Sequence, residues 1–432
     1  MQRTSTKIQI ENISEFKIKL LKWAQQFKTV VWLDSNDYQQ KHSNYDAVLA
    51  VDAVSEIKAN YIGAFKAFKK YQTNSNDYIF GYLSYDLKND VEKLSSSNFD
   101  GLQFPDLFFF QPKKIFFIKK NTIEAKYIVD FENEITADLN EITSSNNQQS
   151  STNEAIKIKL RIHKGEYLKK LNSVLNYIQR GDIYEANFCQ EFYREDSTIN
   201  PLEVYHNLNE ISKPPFATFL KIHDKFLLSA SPERYLKKDG ETIISQPIKG
   251  TEKRAITKFE DEKLIIELEK NQKERAENIM IVDLVRNDLS HFAIKGSVKV
   301  DELCKVYTFE QVHQLVSTIS CIVDKSIHPV DILKSTFPMG SMTGAPKISA
   351  MKIIEELEET KRGLYSGAVG YITPKGDFDF NVIIRSILYN ASKKYISYTV
   401  GSAITAQSIP EKEYEECLLK AKAMKQVLLN TK

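Results

Sequence analysis

The stretch Gln246-Pro-Ile-Lys-Gly-Thr251 follows a strand-like run at 242–245 and interrupts its regularity twice. Pro247 removes a backbone donor, while Gly250 lets the chain bend toward a ligand. Lys249, set between them, can project from the end of a strand into a pocket. Taken alone it reads as an ordinary solvated lysine, since most lysines are exposed. Desolvation near a second cation would lower its pKa and free its lone pair for covalent chemistry, so the neighbours decide.

The next segment supplies carboxylates. In Lys273-Glu-Arg-Ala-Glu-Asn-Ile-Met-Ile-Val-Asp283, Glu274 and Glu277 stand three apart on an expected helix and share one face. Pro410-Glu-Lys-Glu-Tyr-Glu-Glu-Cys417 repeats that spacing with Glu413 and Glu416. Two such pairs offer oxygen ligands to a hard divalent cation such as Mg²⁺; either pair alone is an ordinary solvated helix face.

Gly340-Ser-Met-Thr-Gly-Ala-Pro-Lys347 has the hydroxyls and the proline of a helix start able to accept an anion. Arg385, in a run read as one strand over 380–388, could fork onto a carboxylate. Gly401-Ser-Ala403 reads as a tight turn after a strand ending at Val400, small enough for backbone N–H groups to approach a ligand.

Composition narrows the class. The 432 residues, at 42% hydrophobic and 27% charged, describe a globular protein. The 59 basic and 57 acidic residues leave a net charge of +2, so no global field favours nucleic acid or a membrane surface. Cys189, Cys304, Cys321 and Cys417 lie far apart, as free thiols of a reducing compartment do. No signal-like apolar segment follows Met1 and no run spans a bilayer, so the expected location is the cytoplasm. No Ser-His-Asp set, zinc spacing or phosphate-cradling loop is present, which disfavours nucleotide chemistry.

Along the chain, strands at 29–33 and 78–85 alternate with a helical stretch at 57–71. The apolar-free stretch 143–153 reads as an exposed loop. It divides a region 1–142 from a region 157–432 through a linker at 143–156. A helix at 164–180 then leads into 182–192, strands follow at 226–230, 242–245 and 395–400, and helices cover 259–283 and 350–359.

The order of Gly181-Asp-Ile-Tyr-Glu-Ala-Asn187, Ser231-Pro-Glu-Arg-Tyr-Leu236, Pro247-Ile-Lys-Gly-Thr251, 277–288, 340–347 and 413–417 resembles the chorismate-binding family over roughly 160–428. That family contains the anthranilate, aminodeoxychorismate, isochorismate and salicylate synthases. Trp32-Leu-Asp-Ser35 and Gly81-Tyr-Leu-Ser-Tyr-Asp86 extend a weaker likeness into the first half, which in relatives forms a tryptophan pocket.

The resemblance implies an α+β fold of the anthranilate synthase type: two stacked antiparallel sheets with helices outside, both halves sharing it. It implies Mg²⁺ on Glu277 and Glu416, with Glu274 and Glu413 binding directly or through water. Lys249 would be the nucleophile and Glu233 the acid, with Gly250, Thr251, Tyr365, Arg385, Gly401, Ser402 and Ala403 holding chorismate. Lysine between Ile248 and Gly250 is usual in the branch that aminates chorismate to 4-amino-4-deoxychorismate, on the way to folate, and alanine is usual in anthranilate synthases, the alternative. Water-adding relatives carry a base lysine where this chain has Glu185. Ammonia would come from a separate glutaminase subunit, and a downstream aminodeoxychorismate lyase would finish 4-aminobenzoate. The chain departs from the family pattern at Gln314, where a histidine usually stands, with His313 one residue earlier.

Overall fold

Alternation along the strand Thr29–Asp34 shows why the molecule is layered. Val30 and Trp32 enter one apolar core, whereas Val31 between them enters another, as successive strand side chains point to opposite faces. A strand apolar on both faces has to be covered on both sides.

The computed structural model describes residues 1–38, 41–145 and 155–429. All strand pairings named here are antiparallel. One sheet runs in spatial order Arg3–Gln9, Thr122–Ile128, Leu107–Lys119, Ala47–Ala59, Thr29–Asp34, Phe216–Ile222, Lys225–Ser231, Ser386–Asn390, Tyr395–Thr405 and Glu185–Arg194. The other runs Ile79–Leu83, Ala368–Ile372, Phe378–Val382, Arg234–Asp239, Thr242–Gln246, Val312–Ile322 and Lys299–Thr308. Leu107–Lys119 belongs to both, because its first residues also pair with Ile79–Leu83.

The stacked sheets enclose a core in which Leu220 and Leu227 of the first meet Tyr235, Val369 and Phe380 of the second. Helices Ile13–Trp23, Lys164–Gln179, Pro201–Ser212 and Pro410–Leu428 cover the opposite face of the first sheet through Leu20, Leu171, Val204 and Cys417. This is the α+β arrangement of antiparallel sheets and outer helices expected from the sequence.

Several elements differ from their sequence reading. Residues 57–59 end the strand Ala47–Ala59, paired with 107–109, and the helix starts only at Ala64 after Gly63. The helix expected over 259–283 is two, Lys258–Lys270 and Gln272–Ser290, divided at Asn271, whose side chain caps the second. The strand expected over 380–388 is also two, because the chain crosses there from one sheet to the other. Thr143 and Ser144 close the helix Glu134–Ser144, and 146–153 of the expected loop lie outside the described residues. No described helix is long and apolar enough to cross a membrane.

Candidate active site

Lys249 lies on the strand Ile248–Lys253, whose register against Val312–Ile322 slips between Ile248 and Thr251. Gly250 takes a φ of +89°, and a Cβ there would stand 3.1 Å from Glu274 Oε2. Glycine thus lets the strand lie close to the glutamate-bearing helix. Asn278, next to Glu277, also reaches across, donating to the Leu315 carbonyl at 3.2 Å.

The Lys249 ammonium donates to Glu185 Oε1 at 3.0 Å. Glu185 is fully buried at the start of Glu185–Arg194, flanked by Ala345 on one side and Thr405 on the other. Burial alone would lower the pKa of Lys249, but Glu185, Glu277 and Glu233 raise it overall. The sequence left the neighbours of Lys249 open; the charges acting on it are anions, and they hold it protonated.

Glu233 follows the strand Lys225–Ser231, its backbone N–H donating to Ser231 Oγ at 3.3 Å and its carbonyl accepting from Val382. Burial raises its carboxyl to about 7, against the opposing pull of Ser341, Lys249 and Arg385. Such a group is a carboxylic acid below neutrality and can donate a proton. Arg385 sits at the crossing between sheets with φ of 51°, a left-handed conformation costly for a side-chain-bearing residue. Burial lowers its pKa, which Glu233 opposes.

The four glutamates come from two helices that meet at Lys273. Its ammonium is 3.8 Å from both Glu277 and Glu413. Glu413 also accepts from Ser408 at 2.8 Å, and Glu416 pairs with Lys420 at 2.7 Å. Burial, with Glu274 adding to it, raises Glu277 to about 7, and its Oε1 is buried without a hydrogen-bond partner. No described group of three carboxylates is drawn into metal-binding distance. In donor type the residues nevertheless fit a hard dication: all are carboxylate oxygens, and Glu277 Oε1 is buried with no hydrogen bond, its nearest ammonium being Lys273 at 3.8 Å.

The remaining expected residues divide. Thr251 Oγ1 faces Gln314 Nε2 at 3.4 Å, and the amide oxygen of Gln314 is buried without a partner. His313 points to the other face, to Asp261 and Thr308, each at 2.9 Å, as neighbours in a strand must. His313→Asn is therefore expected to lower the melting temperature while kcat/KM stays within about two-fold, because the lost bonds are structural; a large fall in turnover at unchanged stability would contradict this.

Gly401, Ser402 and Ala403 do not form a turn. They lie inside Tyr395–Thr405, paired with Cys189, Phe188 and Asn187. A Cβ on Gly401 would meet the Phe188 carbonyl at 2.4 Å, so small size here serves strand approach. The Gly401 carbonyl accepts from Lys420, which ties this strand to Glu416. Tyr365 is buried, its hydroxyl 3.7 Å from Cys189 Sγ, and no contact joins it to Lys249. At 340–347, a 3-10 turn and a two-residue strand precede the helix, and Lys347 pairs with Asp288 at 2.7 Å. Sequence reasoning on spacing alone missed Lys273, Asn278 and Lys420. Lys273 and Asn278 directly precede Glu274 and follow Glu277, and helical periodicity places Lys420 four residues after Glu416.

A half-buried lysine held by a carboxylate, on a strand close to a glutamate-bearing helix within this double sheet, defines a fold class. The anthranilate synthase component I of Streptococcus pneumoniae TIGR4 superposes with a TM-score of 0.79 at 25% identity, covering 90% of this chain and 93% of that one. The chorismate binding enzyme family matches residues 28–426, and the chain belongs to that family. It is 31% identical over 360 residues to the aminodeoxychorismate synthase component 1 of Bacillus subtilis (strain 168), covering 81% of this chain and 76% of that one. It is 41% identical over 261 residues to the chloroplastic aminodeoxychorismate synthase of Arabidopsis thaliana, covering 60% of this chain and 28% of that protein.

Proposed function

We propose that this chain aminates chorismate at C4 to give 4-amino-4-deoxychorismate, as an aminodeoxychorismate synthase component I in the cytoplasm. The carrying observation is Lys249 itself, half-buried, paired with Glu185 at 3.0 Å and under the electrostatic pull of Glu277 and Glu233. In this reading the Lys249 amine attacks C2 of the ring, and Glu233 donates its proton to the departing C4 hydroxyl. Ammonia then attacks C4 and the lysine leaves from C2. Arg385 holds the enolpyruvyl carboxylate, while Gly250, Thr251, Tyr365, Gly401, Ser402 and Ala403 shape the cleft.

Glu277 and Glu416, with Glu274 and Glu413 directly or through water, would hold Mg²⁺, which would supply a positive anchor for the ring carboxylate. Glu277→Ala is expected to raise the Mg²⁺ concentration for half-maximal turnover by at least about 10-fold. An unchanged Mg²⁺ requirement would remove Glu277 from the metal set. The ammonia source is a separate glutaminase subunit, and the product passes to an aminodeoxychorismate lyase. The regions 1–142 and 157–432 act as parts of one fold, supported by the pairing of Ile79–Leu83 with Ala368–Ile372.

Product identity tests the reading. The chain, chorismate, Mg²⁺ and ammonium are incubated with and without the lyase, and products are weighed by mass spectrometry. 4-Aminobenzoate formed only with the lyase supports C4 amination. Anthranilate formed without it would favour the tryptophan-branch activity that names the Streptococcus structure.

A further inference from the structure

Nucleophilic attack needs a neutral lysine, yet Lys249 is held as an ammonium. Something must take its proton when chorismate is bound. Three carboxylates act electrostatically on the amine: Glu185, Glu277 and Glu233. In the reading above, which this inference deepens, Glu277 is a metal ligand and Glu233 must donate a proton. Only Glu185 is in hydrogen-bond contact, at 3.0 Å. Its other oxygen, Oε2, is fully buried with no partner, and Lys249 is its one side-chain partner among the described residues.

We propose that Glu185 is the catalytic base for Lys249, taking its proton as the C2 bond forms and returning it when the lysine leaves. The proton count closes. In the first half, Lys249 gives one proton to Glu185 and its lone pair bonds to C2. The ring π electrons shift toward C4, and the C4–O bond breaks as Glu233 supplies the proton that makes water. The adduct nitrogen is then a secondary ammonium, Glu185 a carboxylic acid and Glu233 a carboxylate. In the second half, the lone pair of ammonia bonds to C4 and the π electrons shift back. The C2–N bond breaks with its pair on Lys249, which recovers its proton from Glu185. The new C4 ammonium loses a proton to Glu233, resetting both carboxyls.

Burial is what makes this economical. Glu185 is 0% exposed, so the proton it takes is not exchanged with bulk water before it is needed again. Its backbone is fixed on both sides, by Ala345 and by Thr405, so the carboxylate stays aimed at the amine.

The test is the rate of covalent adduct formation, followed by intact-chain mass after rapid quenching with chorismate and Mg²⁺ and no ammonia. Glu185→Gln is expected to slow it by about 10²–10⁴-fold near neutral pH, the usual worth of a general base. Chorismate binding should persist. The residual rate should climb with pH, since the variant depends on lysine that is already neutral. In Glu185→Ala, added formate should restore at least about ten-fold of the lost rate. Adduct formation by Glu185→Gln at the wild-type rate and pH dependence would overturn the assignment. So would a slowed Glu185→Ala that binds chorismate but does not respond to formate. If Glu185→Ala does not bind chorismate, the pH profile of Glu185→Gln decides alone. Lys249→Ala, run alongside, separates the two readings: if it still yields product at the wild-type rate, the nucleophile itself is wrong, whatever Glu185 does.

Discussion

Lys249→Ala is expected to lower chorismate turnover by about 10³-fold or more while chorismate still binds, because the nucleophile is lost and the anchoring groups are not. The structure explains the separation. Lys249 reaches its partners from a slipped strand, whereas Arg385 stands at the sheet crossing and the glutamates stand on helices. Removing the ammonium also leaves Glu185 buried with neither oxygen partnered, and an unpaired buried carboxylate is costly. The variant should therefore melt at a lower temperature, and binding measured by calorimetry below that temperature distinguishes lost chemistry from lost fold. Turnover near the wild-type rate would end the covalent account.

Glu233→Gln is the second large effect. Burial brings the Glu233 carboxyl to about 7, so the acid form predominates below neutrality and is lost above it. Hydroxyl departure from C4 should accordingly fall as pH rises through about 7 in the wild-type chain. Glutamine keeps the shape but cannot give up a proton. The variant should lose about 10²–10⁴-fold in kcat with little change in KM, and its residual rate should lack that alkaline fall. A variant within about three-fold of wild type, with the same pH profile, would assign the proton to another group.

The sheets were legible where side-chain alternation was strong. Thr29–Asp34 and Thr242–Gln246 appear almost as their sequences suggest, since Val30, Val31 and Trp32 fill cores on both faces, and Ile243 and Ile244 are both buried, Ile243 in the core between the sheets. The helix Lys164–Gln179 was equally plain from its apolar stripe. Where long-range pairing decides, local pattern misled. Ile57 has apolar neighbours at helical spacing, yet Phe109 lies opposite it in a ladder and holds it in a strand.

Small residues at 401–403 signal close backbone approach correctly, but whether that approach occurs in a turn or inside a ladder depends on the partner strand 187–189. The site was legible as a set of residue types and spacings. Its electrostatics were not: Glu185 lies 64 residues before Lys249 in the chain, and only the fold brings their side chains to 3.0 Å. That contact helps raise the lysine's pKa, where a neighbouring cation would have lowered it.

The most direct test of the account is to mix the chain with chorismate and Mg²⁺, withhold ammonia, quench, digest and map any added mass by tandem spectrometry. The account predicts a chorismate-derived adduct, formed with loss of one water, on the peptide carrying Lys249, and its disappearance when ammonium is added. Chorismate consumed to aminated product with no adduct at Lys249, under conditions where Lys249→Ala turns over equally well, would contradict it.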